Sequence, residues 1–407
     1  RGDARQAELP AQAELPAEAE LPARAEVPAQ VEVPAQAQRA AEAAPALPGA
    51  GPVYCRGVRV FVYDAGVAAA LRVDKKRIKR KWARNFRFET AFAEVMRASP
   101  CRVRDAELAD FFIVPATPVL FYFHSRNGTY ICPACQAAEA RVVDALLRAG
   151  PHWAARRARH VVPMLWCPQR DPLDHESLAG LFPQLWAGGA LQLCLQATRA
   201  DIDERRSLHV TYYLGEEEFD RDPRPPESRD LLAVYAGAPL NAERELLARG
   251  MAGCRDCSVQ ALGGKRDVGD DFMAAWRRTL RRAKFQVVPP GDTLEREARD
   301  QSIAMGAVPV CFDSMERPVR REQHMPLSPP LDWRGFSVNF SSRGAGAELW
   351  PRLERRLRDL VRSGEAARLG RGAATAREAL RWTPQGIGRV LLEMLRARKN
   401  RARSVSG

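Results

Sequence analysis

Residues 284–313, KFQVVPPGDTLEREARDQSIAMGAVPVCFD, spell a complete β–α–β unit in one short stretch. An apolar run over 285–288 ends in Pro-Pro-Gly. A helical pattern covers 294–305, Gly306 stops it, and a second apolar run follows over 307–312. A helical crossover is how parallel strands are joined, because a tight turn cannot return the chain in the same direction. The alternation recurs. Strand-length runs stand at 58–64 (VRVFVYD), 110–116 (DFFIVPA), 160–166 (HVVPMLW), 231–237 (LLAVYAG) and 335–342 (GFSVNFSS). Helical patterns lie between them at 86–97, 137–148 and 242–252. The expectation is an α/β protein with parallel sheets covered by helices on both faces. At 407 residues and 46% hydrophobic content, two domains with real cores fit.

The first 52 residues have a different texture. Positions 7–36 are five hexads, AELPAQ, AELPAE, AELPAR, AEVPAQ and VEVPAQ, with proline at 10, 16, 22, 28 and 34. Proline at that interval forbids a continuous helix and removes ladder donors from a strand. With so little bulky apolar content, the segment cannot offset its ordering entropy. Residues 1–52 are therefore expected to be a disordered, extended stem. The acidic, proline-rich segment 216–230 reads as a linker. It divides a first domain, 53–225, from a second, 226–345. Residues 346–407 form C-terminal helices and a basic tail whose end, RARKNRARSVSG, is expected to fray.

Lys and Arg outnumber Asp and Glu by 63 to 50, a net charge of +13. This suits an anionic partner, or else reflects an arginine-rich composition. The run KKRIKRKWAR at 75–84 reads as a solvated helix face rather than a nuclear signal. No zinc-finger, helix-turn-helix or aromatic RNA-binding pattern is present, which argues against a nucleic-acid partner. The CxxC pairs CPAC (132–135) and CRDC (254–257) are over a hundred residues apart, too far for an ordinary zinc framework. The nine cysteines are expected to form structural disulfides or buried thiols, and no metal site is assigned. Neither pair opens a helix after a strand, so thioredoxin-like chemistry is not expected. The pair Asp201 and Asp203 in ATRADIDERR reads as charged surface. Sequons at Asn127 and Asn339 suit a secretory lumen as N-glycosylation candidates. No run of about 18 apolar residues exists to span a bilayer. The chain begins at Arg1, as a fragment or a mature form would.

The turn at 289–296 has its own chemistry. Asp292 or Thr293 can cap the following helix, and Asp292 with Glu295 forms a D-x-x-E capping box. The same helix start presents unpaired N–H groups and a partial positive charge, which is how diphosphates are held. Gly291 lets a bulky anion approach the backbone. Arg296 adds a planar fork for phosphate oxygens. Glu295 and Glu297 must then face away.

These residues resemble a known signature. KFQVVPPGDT…SIAMGAVPVCFD is similar to the motif of the exostosin-like glycosyltransferases, in particular the plant-type branch with the xyloglucan galactosyltransferases. RVFVYD (59–64), SPCRVRDAELADFFIVPA (99–116), RDLLAVYAGAP (229–239) and LDWRGFSVNF (331–340) resemble further family segments in the right order. The resemblance implies a GT-B fold, two Rossmann-like doubly wound domains facing a cleft. The first domain takes the acceptor side and the second binds the nucleotide-sugar. It implies transfer of a hexosyl or pentosyl group from a UDP-sugar to a glycan or glycoprotein, inverting and metal-independent. It also implies a Golgi enzyme in polysaccharide biosynthesis, lumenal and held by an N-terminal anchor missing from this chain. No cofactor beyond the donor is expected, and homo- and hetero-oligomers both stay open.

Carried over by position, Gly237, Gly291, Asp292, Thr293, Arg296 and Gln301 belong to nucleotide-sugar binding. Ala236, Gly237 and Ala238 fall on the family's A-G-A loop. The chain departs from the pattern at Glu297 (usually Arg), Gln301 (usually acidic), Ala307 (usually Cys) and Arg159 (usually Asp). Inverting transfer requires a base for the acceptor hydroxyl and cationic or N–H groups for the departing diphosphate. His160, His124 and Asp110 are the base candidates. The alternative is a catalytically decayed member that binds a glycan or a partner protein.

Overall fold

The computed structural model describes residues 55, 57–63, 87–115, 125–126, 129–130, 151–166, 189–196, 206–239, 241–262, 269–289, 297–313, 325–328 and 330–406. All belong to one compact unit, 46–407, and the hexad segment lies outside them.

The first sheet assembles β1 (Val60–Val62), β2 (Phe111–Ile113), β5 (His160–Trp166), β6 (Leu191–Gln196) and β7 (Ser207–His209). All are parallel and lie side by side in chain order. A small antiparallel hairpin, β3 (Ser125–Arg126) and β4 (Thr129–Tyr130), follows β2 in the chain. Helix α1 (Phe88–Arg97) covers this sheet for a readable reason. Phe88, Phe92, Val95 and Met96 recur at helical spacing and are all buried. Full burial of each stabilises the fold by about 1.5–3 kcal/mol. Helix α2 (Pro151–Arg156) leads into β5 and buries Trp153 against His160.

The second sheet contains β8 (Leu231–Gly237), β9 (Cys257–Ala261), β10 (Ala283–Val288), β11 (Val308–Asp313) and β12 (Val338–Ser341). It too is wholly parallel, but its spatial order is β12-β11-β10-β8-β9. The crossovers use α3 (Ala242–Ala252), α4 (Asp270–Leu280) and α5 (Glu297–Ala304). Two parallel α/β sheets in one chain are the GT-B type of architecture expected from the resemblance.

The connection over 216–230 is packed, not a loose tether. Phe219 and Asp220 are buried, and the Asp220 N–H donates to the Ala304 carbonyl at 3.1 Å. Arg229 is 1% exposed and uses its guanidinium as a rivet. It donates to the carbonyls of Leu280 (3.1 Å), Ala283 (2.9 Å), Met305 (3.0 Å) and Arg224 (2.9 Å). Burial lowers its pKa to about 10, so it remains charged at neutral pH.

Three C-terminal helices complete the unit: α6 (Leu349–Arg362), α7 (Glu365–Leu380) and α8 (Arg389–Ser406). Leu349, Trp350, Leu353, Leu357 and Leu360 share the core of the second sheet. Leu380, Ile387, Val390, Leu391 and Leu395 share a core with Val58, Val60, Phe88 and Phe92 of the first. The tail therefore returns to the domain where the chain began. Its basic end is helical. Helix α8 runs to Ser406, Lys399 donates to the Gly57 carbonyl at 2.7 Å, and its Nζ pairs with Asp110 at 2.6 Å. Arg398 donates to the Ser207 carbonyl. No helix among the described residues is long and apolar enough to cross a membrane.

Candidate functional site

In chain order the second sheet's strands are first to fifth, and their spatial order is second-first-third-fourth-fifth. The order reverses between β8 and β10. In open α/β sheets the crevice for a ligand lies beyond the carboxyl ends of the strands at such a reversal. Two segments leave the sheet there: Ala238 after Ala236 and Gly237 close β8, and Pro289 after β10.

At the end of β8 the backbone is shaped by its own neighbours. A Cβ on Gly237 would stand 2.6 Å from the Tyr235 hydroxyl oxygen and 3.0 Å from the ring carbon that carries it. Tyr235 is buried, so only glycine fits without moving that ring. The chain then enters α3, capped by Asn241, whose side-chain oxygen accepts the Arg244 N–H at 2.9 Å. Glu243 and Arg244, in the first turn, are both buried. Arg244 Nη1 donates to the Ala238 carbonyl at 3.4 Å, which binds the helix start to the glycine loop. A cation in a helix's first turn opposes the macrodipole. Arg244 is such a cation, next to Glu243 in the sequence. Neither residue was singled out by motif. The available signal was LNAER, an arginine three residues after a cap.

At the end of β10 the described chain pauses. Gly291, Asp292, Thr293 and Arg296 lie outside the described residues, which resume at Glu297 with α5. The body of α5 is held by buried polar contacts. Asp300 accepts the Tyr212 N–H at 3.0 Å and the Arg299 Nε–H at 3.0 Å. Arg299 also lies over the Trp333 ring, 4.8 Å from its centre. Ser302 donates to the Ala298 carbonyl at 2.8 Å and lies 2.6 Å from the Gln286 side-chain oxygen on β10. Gln301 is 8% exposed, and its Nε2 donates to Glu218 (3.1 Å) and Glu297 (3.0 Å). Its amide hydrogens are thus committed to carboxylates, which leaves the amide oxygen as that group's acceptor. Glu297 accepts from Gln301, one turn further along α5.

Two of the base candidates are placed by strand direction. Asp110 immediately precedes β2 and His160 opens β5, so both stand at amino ends, away from the edge where ligands bind. Asp110 accepts the Arg59 N–H at 2.8 Å and pairs with Lys399. His160 is 0% exposed, stacked on Phe112 and Tyr63 and edge-on to Trp153. Its Nδ1 is 3.0 Å from the Arg156 carbonyl, which can only accept, so Nδ1 carries the hydrogen. Nε2 then receives the Tyr63 hydroxyl at 2.9 Å. Burial pulls the His160 pKa down to about 4, and the nearby His152 adds to the fall. With both nitrogens occupied, this ring is a packing element. His124 lies outside the described residues, as do Asn127, Asp201, Asp203, the pair Cys132 and Cys135, and the 75–84 run. Asn339 is described and exposed, on the outermost strand β12.

The cysteines take the expected disulfide course. Cys55 is bonded to Cys101 and Cys254 to Cys257, and Cys194 is also disulfide-bonded. By the chain-entropy relation, the first bridge stabilises by about 4 kcal/mol and the second by about 2 kcal/mol.

Comparison with known proteins places these features in context. The family model of the exostosin GT47 domain matches residues 54–346. A search of curated proteins found no match. Among 42 matching chains of solved structures is that of Anabaena HepE in complex with UDP and glucose. It is 9% identical, with a TM-score of 0.36, over 74% of this chain and 79% of that one.

Proposed function

We propose, from the premise that this chain belongs to the exostosin GT47 family, that it moves a sugar from a UDP-sugar to a glycan or glycoprotein hydroxyl. That it is a glycosyltransferase follows from the family. The donor, the inverting course and independence from metal are our reading. The observation that carries it is the strand reversal between β8 and β10, with Gly237 and the buried Arg244 at its edge.

In this reading the diphosphate lies between the two carboxyl ends. The N–H groups at the starts of α3 and α5 and the cations of Arg244 and Arg296 receive its charge. Gly291, Asp292 and Thr293 form the close turn, and Gln301 offers its amide oxygen to the ribose. A base removes the acceptor hydroxyl's proton and the freed oxygen attacks the sugar C1. The C1–O bond breaks, and its electron pair leaves on UDP. His124, in the connection between β2 and β3, is the base candidate kept in this reading.

The disulfides and the exposed Asn339 sequon support an oxidising lumen, which we take to be the Golgi. The test is a donor-hydrolysis screen over UDP-sugars, with and without chelator, alongside calorimetric UDP binding. Metal-independent binding and hydrolysis of one donor are expected. Hydrolysis abolished by chelator overturns metal independence, and absence of UDP binding favours the decayed alternative.

A further inference from the structure

Between α3 and β9 lies Cys254-Arg255-Asp256-Cys257, with its two sulfurs bonded to each other. It differs from the Cys55–Cys101 bridge in what surrounds it. It spans a sequence separation of 3 against 46, so it restrains the unfolded chain far less. Both its cysteines are part-exposed, whereas Cys101 is buried. The Cys254 sulfur also faces two charged groups. Asp256 Oδ1 is 3.4 Å away, and Arg358 Nη2 on α6 is 4.0 Å away. Arg358 is held in place by both Asp256 oxygens, at 2.8 and 3.1 Å, and by Glu354 at 2.7 and 2.9 Å.

A disulfide sulfur has no hydrogen to donate and no charge to attract a guanidinium. A thiol at Cys254 could donate to Asp256, and a thiolate there could accept from Arg358. The surroundings are thus fitted to the reduced sulfur, while the sulfur present is oxidised. The Cys254, Asp256 and Cys257 ligand atoms lie within 4.8 Å of one another, yet Arg358 occupies both Asp256 oxygens, so the set is not offered to a cation.

We propose that Cys254–Cys257 is a thiol–disulfide exchange site for an external thiol, with Cys254 as the leaving sulfur. An external thiolate attacks Cys257 Sγ. The S–S bond breaks, and its electron pair moves to Cys254 Sγ, between Arg358 and Asp256. A second external thiolate attacks the outer sulfur of the mixed disulfide and expels Cys257 as a thiolate, which takes a proton from water. Two external thiols are oxidised to one disulfide, and the protein disulfide is reduced to the Cys254–Cys257 pair.

The experiment equilibrates the full chain in glutathione buffers of graded reduction, traps thiols by alkylation, and quantifies each cysteine by peptide mass spectrometry. Cys254 and Cys257 are expected to open in buffers at least tenfold less reducing than Cys55–Cys101 requires. Arg358→Met is expected to move that midpoint toward more reducing buffer, with Arg358→Lys between. Cys254→Ser is expected to hold glutathione on Cys257. If the pair stays closed until Cys55–Cys101 opens, the proposal fails, whatever the variants do. An unmoved midpoint in a folded Arg358→Met protein removes the role of Arg358 as the stabiliser of the leaving sulfur.

Discussion

The carboxylate of Asp300 accepts the backbone N–H of Tyr212 at 3.0 Å, and the two are 88 residues apart in sequence. Tyr212 follows the last strand of the first sheet, and Asp300 stands on the helix behind the proposed diphosphate turn. One buried hydrogen bond therefore ties the exit of the first domain to the helix proposed to position the donor. Asp300→Ala is expected to cost roughly 1.5–3 kcal/mol of stability, the range for a bond to a charged group. Urea unfolding measures it, and an unchanged midpoint would exclude this role.

Gly306 is predicted to resist even alanine. Its φ is +73°, and a Cβ there would stand 2.7 Å from Arg229 Nη2 and 2.9 Å from Pro223 Cβ. The left-handed backbone alone costs about 1–2 kcal/mol for a residue with a side chain. Displacing the Arg229 rivet adds to that. Gly306→Ala should lower the denaturation midpoint clearly. A loss below about 0.5 kcal/mol, the size of a neutral surface change, would show that Arg229 can yield.

Acid should act through His160. Its folded pKa, about 4, lies below the ordinary 6.5. The unfolded chain therefore binds the proton more readily, and stability is lost as pH falls from about 6.5 toward 4. The full effect is on the order of 3 kcal/mol. Thermal unfolding at pH 7 and pH 4.5 should show a steeper decline for the native protein than for His160→Gln. Parallel declines would mean that His160 does not carry the effect.

Arg244 and Arg296 are predicted to act on the donor. Arg244→Gln or Arg296→Ala should each weaken UDP binding by roughly 1.5–3 kcal/mol, about tenfold or more. Calorimetry reads the binding, and circular dichroism checks that the fold is kept. An unaltered dissociation constant in either variant removes that residue from the phosphate site.

Gly237→Ala tests the other wall of the crevice. The added methyl group must push the Tyr235 ring, whose hydroxyl oxygen lies 2.6 Å from its place. UDP affinity should fall, whereas Gly237→Ala with Tyr235→Phe should recover part of it. No recovery would indicate that the methyl blocks the ligand itself.

Much of this was legible in the chain. Parallel α/β architecture followed from strand-length apolar runs separated by helical patterns, and the 242–252 helix was read at its observed bounds. The strands that escaped were the two-residue strands β3 and β4, and β6, β7 and β9. LQLCLQ does carry a strand's two-residue alternation, whereas SLH is three residues long and CSVQA lies on a sheet edge with little apolar content. Helix α4 was missed because only Trp276 and Leu280 are buried on it, too thin a stripe to read as a face. The family signature was local, carried by backbone-shaping residues such as Gly237 and Gly306 that a linear pattern preserves.

The sequence alone determined the class of fold, the family and the glycine-bearing turns, because propensity, periodicity and turn chemistry act between neighbours along the chain. Only the tertiary structure decided the strand order that locates the crevice, the burial of Arg244, and the return of α8 to the first domain. It also placed Asp110 and His160 at the amino ends of their strands, with the His160 ring fully buried. A residue's type says what chemistry it can do, but the end of the strand it occupies depends on how distant segments pair.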